Sequence, residues 1–250
     1  MHDWQSLDEE LNLWRDNDQC AAFWWRDDDA CAPTPHLRRM LDIAARHDAP
    51  LALAVIPSAL KPELAQLLNP RVDVSVLQHG FAHLNHASVD EKKSEFGADR
   101  NVETVRKELS TGQRMLEIFD HALPILVPPW NRIAPAQLDT LADIGFTGVS
   151  TYAARRSPLV TPELAMINTH VDIIDWHGTG GFVGTDAAIA LTVAHLQAKR
   201  SGAADATEPT GLLSHHLVHD EGSWDFIEAF LHHLKTHDGA HVVNVAVALP

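Results

Sequence analysis

Cysteine is nearly absent: Cys20 and Cys31 are the two in 250 residues. That is too few for a disulfide framework, and their spacing matches no zinc-binding pair. Reduced, buried thiols in a cytoplasmic protein are expected. Basic residues are also scarce, 19 Lys and Arg against 34 Asp and Glu, for a formal net charge of −15. A chain so acidic lacks the basic face that a phosphate backbone demands, so no nucleic-acid partner is expected. No apolar run approaches the roughly 20 residues needed to span a bilayer. The segment Met1-His2-Asp3-Trp4-Gln5 has neither the basic nor the apolar region of a signal peptide. A soluble protein without a membrane partner is the expectation.

What is present is ample apolar material, 45% of residues, in a regular alternation. Strands are expected at 21–26, 51–56, 72–77, 124–127, 146–150, within 164–174 and at 211–214. Helices are expected at 34–47, 62–68, 102–119, 135–143, 185–200 and 224–236, with a last apolar run at 241–248. The helix at 34–47, for example, carries Leu37, Met40, Leu41 and Ala44 at helical spacing. No linker, repeat or low-complexity segment divides the chain. Such alternation implies a mostly parallel sheet covered by helices, either a closed barrel or a doubly wound sheet. The length suits two small domains or one α/β barrel, and with nothing dividing the chain a single domain over residues 1–250 is expected.

The first strand ends in three consecutive carboxylates, Asp27, Asp28 and Asp29. Like charges this close cannot all ionise cheaply unless a cation or a proton lies among them. Other strand ends are equally polar: Gln78-His79-Gly80-Phe81-Ala82-His83, Pro128-Pro129-Trp130-Asn131-Arg132, Asp172-Ile173-Ile174-Asp175-Trp176, and His215-His216. In a parallel barrel these ends share one face, where reactive groups collect. His79 and His83 have the four-residue spacing that lets two imidazoles converge on one ion. Two imidazoles and a carboxylate make a three-ligand site with open positions.

The motifs, in this order, resemble the polysaccharide deacetylase (NodB-like) family, metal-dependent hydrolases that remove acetyl groups from N-acetylated sugars. Asp28-Asp29, His79 to His83, Pro129-Trp130, Asp172 to Trp176 and Leu212 to His215 carry the resemblance. It implies an α/β fold, a distorted (β/α) barrel of about seven parallel strands. It also implies that Asp29, His79 and His83 hold a divalent metal ion, zinc first, with cobalt, nickel or iron accepting similar ligands. Asp28 would be the base toward a coordinated water, and Asp27 would be that base in the alternative register. The Trp130 backbone N–H would hold the oxyanion. His215, preferred over His216, would be the acid, oriented by Asp172 or Asp175. Trp130, Trp176, Arg132 and Arg26 are the candidate substrate-binding residues, and the substrate would be an N-acetylated sugar or small amide. Hydrolysis of another non-peptide C–N bond, or non-catalytic carbohydrate binding on the same scaffold, are the alternatives.

Three departures from the family pattern stand out. The residue after the aspartate pair, glycine in the family, is Ala30 for Asp28-Asp29 or Asp29 for Asp27-Asp28. Gly80 occupies a position where the motif has Ser or Thr, whose hydroxyl supports the loop. Val127 occupies the position of an arginine that orients the base; Arg26 or Arg132 would have to supply that charge from another direction. Bland readings also apply. Trp24 and Trp25 are expected in the core, Asp172 and Asp175 could cap a turn, and His195, His232, His233 and His237 are expected on solvated helix faces.

Overall fold

The computed structural model describes residues 3–249; Met1, His2 and Pro250, at the ends of the expected domain, lie outside the described residues. The strands are β1 (Ala21–Ala30), β2 (Leu51–Val55), β3 (Val74–His79), β4 (Ala122–Val127), β5 (Gly148–Val149), β6 (Leu159–Thr161), β7 (Leu164–Met166), β8 (Val171–Asp172), β9 (Thr210–Ser214) and β10 (Ala240–Val242). They form one curled sheet in the order β6-β7-β5-β4-β3-β2-β1-β9-β8, with β10 also paired to β1. Every pairing is parallel except β6 with β7. The architecture is the distorted (β/α) barrel that the family resemblance implies, a curled and mostly parallel sheet. Its count exceeds seven because 164–174 splits into two short strands, 159–161 adds an antiparallel edge, and 240–242 pairs as a strand.

Helices α1 (Trp4–Asp16), α2 (Pro35–His47), α3 (Glu63–Leu68), α4 (Val102–Leu116), α5 (Pro135–Leu138), α6 (Thr185–Ser201), α7 (Glu221–Thr236) and α8 (Val245–Ala248) complete the described residues. No helix is expected before β1, yet α1 forms there, with Leu7, Leu11 and Trp14 on one buried stripe and Asp3 capping its first turn. α2 begins with Thr34 Oγ1 accepting the Leu37 N–H at 3.1 Å and Pro35 in the first turn. None of the described helices is long and apolar enough to cross a membrane.

Side-chain alternation along β1 organises the core. Phe23 and Trp25 face a large cluster shared with α1, α2, α6 and α7. Trp24 faces a smaller interior cluster with Ala52, Ala54, Leu77, Ile125, Val127 and Ile167. The alanines of β2 make room for the indole, whose N–H donates to the Asn168 carbonyl at 3.0 Å. By period two, Arg26 and Asp28 follow Trp24 toward the barrel interior, and Asp27 follows Trp25 beneath the helices.

Candidate active site

The three aspartates go to three different places. Asp27 is fully buried and turned away from the barrel mouth. Its Oδ2 accepts the Ser214 hydroxyl at 2.7 Å and the His216 N–H at 2.9 Å, and its Oδ1 lies 2.5 Å from His216 Nδ1. Burial would push its pKa up, but the His216 and His219 imidazoles hold it below the usual carboxylate range. Asp27 therefore ties β1 to the end of β9. The alternative register, with Asp27 as base, does not fit this orientation.

Asp28 faces inward and is gripped by Arg26. The guanidinium donates from Nε to Oδ1 at 2.9 Å and from Nη2 to Oδ2 at 3.0 Å. Its remaining hydrogens go to Ser150 Oγ at 2.7 Å, the Thr151 carbonyl at 3.3 Å and Asn131 Oδ1 at 2.7 Å. Both members of the pair are buried, at 0% and 3% side-chain exposure. Val127, by contrast, puts its side chain into the apolar interior. Arg132 is exposed and donates to the Lys93 carbonyl at 2.9 Å, so it does not join the Arg26–Asp28 pair. The charge missing at 127 is supplied from two residues upstream of the carboxylate it orients.

Asp29 reaches the mouth by a backbone irregularity. Between Asp27 and Ala30 the register with β2 slips by one residue, a β-bulge, and Asp29 adopts φ +72°. Without that bulge, alternation would send Asp29 to the opposite face from Asp28. Left-handed backbone at a non-glycine residue is strained, and such strain gathers at functional sites.

Asp29 Oδ1 lies 3.1 Å from His79 Nε2 and 3.3 Å from His83 Nε2. The three donor atoms fall within 4.8 Å of one another. His79 Nδ1 lies 3.0 Å from the Val127 carbonyl, which can only accept, so Nδ1 carries a hydrogen. In the neutral ring Nε2 then presents a lone pair to a carboxylate oxygen, and Asp29 Oδ1 is buried with no hydrogen-bond partner. Two lone-pair donors facing each other need a proton or a cation between them. The donor chemistry fits a divalent ion with open coordination positions. Burial would raise the Asp29 pKa, yet the His79, His215 and His83 rings bring it well below the usual carboxylate range. His79 is shifted up, Asp28 and Asp29 outweighing its burial, whereas His83 is shifted down by burial and by His79.

The opposite wall holds His215, with Nε2 4.0 Å from Asp28 Oδ2 and the ring edge-on to Trp176 at 4.7 Å. Its Nδ1 is buried without a partner. Trp176 is half exposed and donates its indole N–H to Asp172 Oδ2 at 2.9 Å. Burial pushes the Asp172 pKa up, partly offset by the nearby His215. Asp175 does not join this group: its Oδ2 accepts the Thr179 N–H at 3.1 Å, so it caps a turn. His216 is buried on Asp27, leaving His215 as the imidazole that faces the mouth. Trp130 sits at φ +56° with its ring 4.5 Å from that of His83, and Asn131, also at φ +56°, carries the oxygen that holds Arg26.

No family model matches the chain, and no curated protein matches its sequence. Solved structures do. A Mycobacterium smegmatis protein classed with the polysaccharide deacetylases aligns at TM-score 0.69 and 19% identity over 91% of this chain and 88% of its own. The chain has the polysaccharide deacetylase fold. The Bc1960 peptidoglycan N-acetylglucosamine deacetylase aligns at TM-score 0.59 and 16% identity, over 92% of this chain and 88% of that one. A family 4 carbohydrate esterase (CE4) pseudoenzyme from Bacillus anthracis, BA3943, aligns at TM-score 0.58 and 15% identity, over 92% and 66%. The fold thus serves enzymes and at least one protein described as a pseudoenzyme, and the decision between them rests on side chains.

Sequence reasoning missed several participants. Ser150 and Ser214 carry no motif, and Asn131 lies in a polar strand end with nothing to mark its role; only the closing of the sheet brings them to Arg26 and Asp27. His195, expected on a solvated face, is instead buried and stacked on His170 with ring centroids 3.5 Å apart. Burial depresses its pKa to about 2. His170, His195 and Glu208 cluster closely, but not as a metal site. Their rings are nearly parallel, at 15°, so their lone pairs do not converge on one point. His170 Nδ1 accepts the Gly211 N–H at 2.9 Å. Its Nε2 therefore bears the hydrogen and lies 3.3 Å from Glu208.

Proposed function

We propose that the chain is a metal-dependent hydrolase that removes an acyl group from an N-acetylated sugar or a related small amide. The observation that carries this is Asp29 Oδ1, buried without a hydrogen bond and facing the Nε2 atoms of His79 and His83. These three residues would hold the ion, with zinc the first expectation for two imidazoles and a carboxylate. A divalent ion there would make water nucleophilic near neutral pH and polarise the amide carbonyl.

The remaining roles belong to the chain's own residues. Asp28 is the general base, its carboxylate aimed by the bidentate Arg26 fork so that no other rotamer competes. His215, across the mouth and 4.0 Å from Asp28, is placed to give a proton to the departing amine. Asp172 accepts the Trp176 indole N–H at 2.9 Å and so fixes the ring packed edge-on against His215. Trp176 covers the His215 ring and presents an apolar edge to a sugar. The Trp130 amide is the proposed donor to the developing oxyanion.

The test is metal analysis of the purified protein together with acetate release from N-acetylated oligosaccharides. Wild type should carry about one equivalent of metal by the ligand count, and the Asp29→Ala and His79→Ala variants should carry none. Wild type without metal, and without acetate release after metal addition, would refute the proposal. Metal uptake without acetate release would redirect it to another amide or to a non-catalytic binder.

A further inference from the structure

Gly80, between the two imidazoles of the site, has φ +57°, and a Cβ built there would lie 2.0 Å from Glu95 Oε2 and 2.7 Å from Pro129. A carboxylate therefore occupies the space of the side chain that Gly80 lacks. Glu95 comes from the polar stretch before α4 and is 1% exposed. Its Oε1 accepts the Ala82 N–H at 2.7 Å and its Oε2 the Phe81 N–H at 3.2 Å. The rest of the turn is held too: Gln78 donates to the Gly80 carbonyl at 2.9 Å, and the Gly80 N–H donates to the Val127 carbonyl at 3.0 Å.

Support of a turn does not by itself require charge, since a neutral acceptor would satisfy two amides. Among the described residues no Lys or Arg nitrogen pairs with the Glu95 carboxylate; Arg100 Nη1 donates at 3.3 Å to its backbone carbonyl instead. Burial pushes the Glu95 pKa up, only partly offset by the Ala82 and Phe81 amides and the His79 ring, so its charged form calls for positive charge close by. The neighbouring positive charge would be the ion and the imidazoles of the proposed centre.

We propose that Glu95 is the positioning residue of the metal-ligand turn. It fixes the Phe81 and Ala82 amides, sets the separation of His79 and His83, and adds a negative charge behind them. The inference rests on the metal reading above.

The test is titration of metal-free protein with Co²⁺ alone, followed by calorimetry and by the visible absorption of the bound ion. Wild type is compared with Glu95→Ala and Glu95→Gln, the latter keeping the size and one acceptor oxygen. Loss of an outer-shell partner weakens metal binding about 10- to 100-fold. Glu95→Ala should fall in that range, and Glu95→Gln should lose about tenfold with an altered visible band. A purely structural role would lower the melting temperature and leave the band unchanged. Binding within about twofold of wild type in Glu95→Gln, with the same spectrum, would overturn the inference; that variant decides if Glu95→Ala fails to fold. Wild type that takes up no Co²⁺ would bring down the metal reading and this inference together. Normal wild-type uptake with indifferent variants would bring down only this inference.

Discussion

Replacing Arg26 with methionine is the sharpest perturbation available to this site. The guanidinium is fully buried, pairs with Asp28 through two bonds, and makes three more to Ser150, Thr151 and Asn131. Methionine fills much of the vacated volume, so the cavity contribution is small. The cost lies in the uncompensated carboxylate, and breaking a buried pair from one side typically costs about 3–5 kcal/mol. For a chain of this size that corresponds to a fall in melting temperature of roughly 6–20 °C. A double-mutant cycle isolates the pair. Asp28→Asn alone should destabilise less than Arg26→Met, because Ser150, Thr151 and Asn131 still hold the cation. The double variant, with no charge left unpaired, should be more stable than the sum of the singles by about 1–3 kcal/mol. Urea denaturation of all four proteins in chelator gives the energies without metal linkage. Additivity within about 0.5 kcal/mol, or a loss below about 1 kcal/mol for Arg26→Met, would refute the reasoning.

Asp28→Asn should also lower the deacetylation rate about 10²- to 10⁴-fold, the range for loss of a positioned general base, measured as acetate release with metal occupancy verified. Chelation should lower the melting temperature, because a ligand at 100 times its dissociation constant stabilises by about 2.7 kcal/mol; an unchanged melt would argue against a resident ion. Lys199 is buried beside the Trp14 ring, and burial lowers its pKa to about 8. The unfolded chain therefore binds more protons between about pH 8 and 10.5, and this group's contribution to stability rises with pH over that window. Lys199→Met should accordingly be more stable than wild type at pH 7, by up to about 3 kcal/mol, with the gap narrowing at pH 9.5 in urea melts. His219 is buried with its pKa lowered to about 4. Stability is therefore lost as pH falls from about 6.5 to 4, because only the unfolded chain protonates, and His219→Phe should flatten that part of the pH–stability curve.

Much of the scaffold was legible because it depends on local regularities. The apolar runs of β2 and β4 and the helical stripe of α2 are patterns of a few residues, and each falls within a few residues of its expected place. The polar strand ends were legible for a topological reason: parallel strands with helical returns put every C-terminal end on one side. That is why His79, Asp28, Trp130 and His215 could be grouped without coordinates.

The sequence by itself determined the alternating strand–helix order, the acidic character and the set of ionisable residues at the barrel mouth. Tertiary structure decided which of them face one another. Asp27, Asp28 and Asp29 are chemically identical, and alternation alone would put the outer two together. A one-residue bulge turns Asp29 in with Asp28 and leaves Asp27 beneath the helices. Arg26 grips Asp28 and reaches Ser150 and Asn131 because β1 and the ends of β4 and β5 border one interior, a relation no local pattern encodes. Glu95 fills the hollow at Gly80 across fifteen residues of irregular chain, where periodicity carries no signal. Register and long-range packing assign the roles, because a side chain's chemistry is set by what lies opposite it.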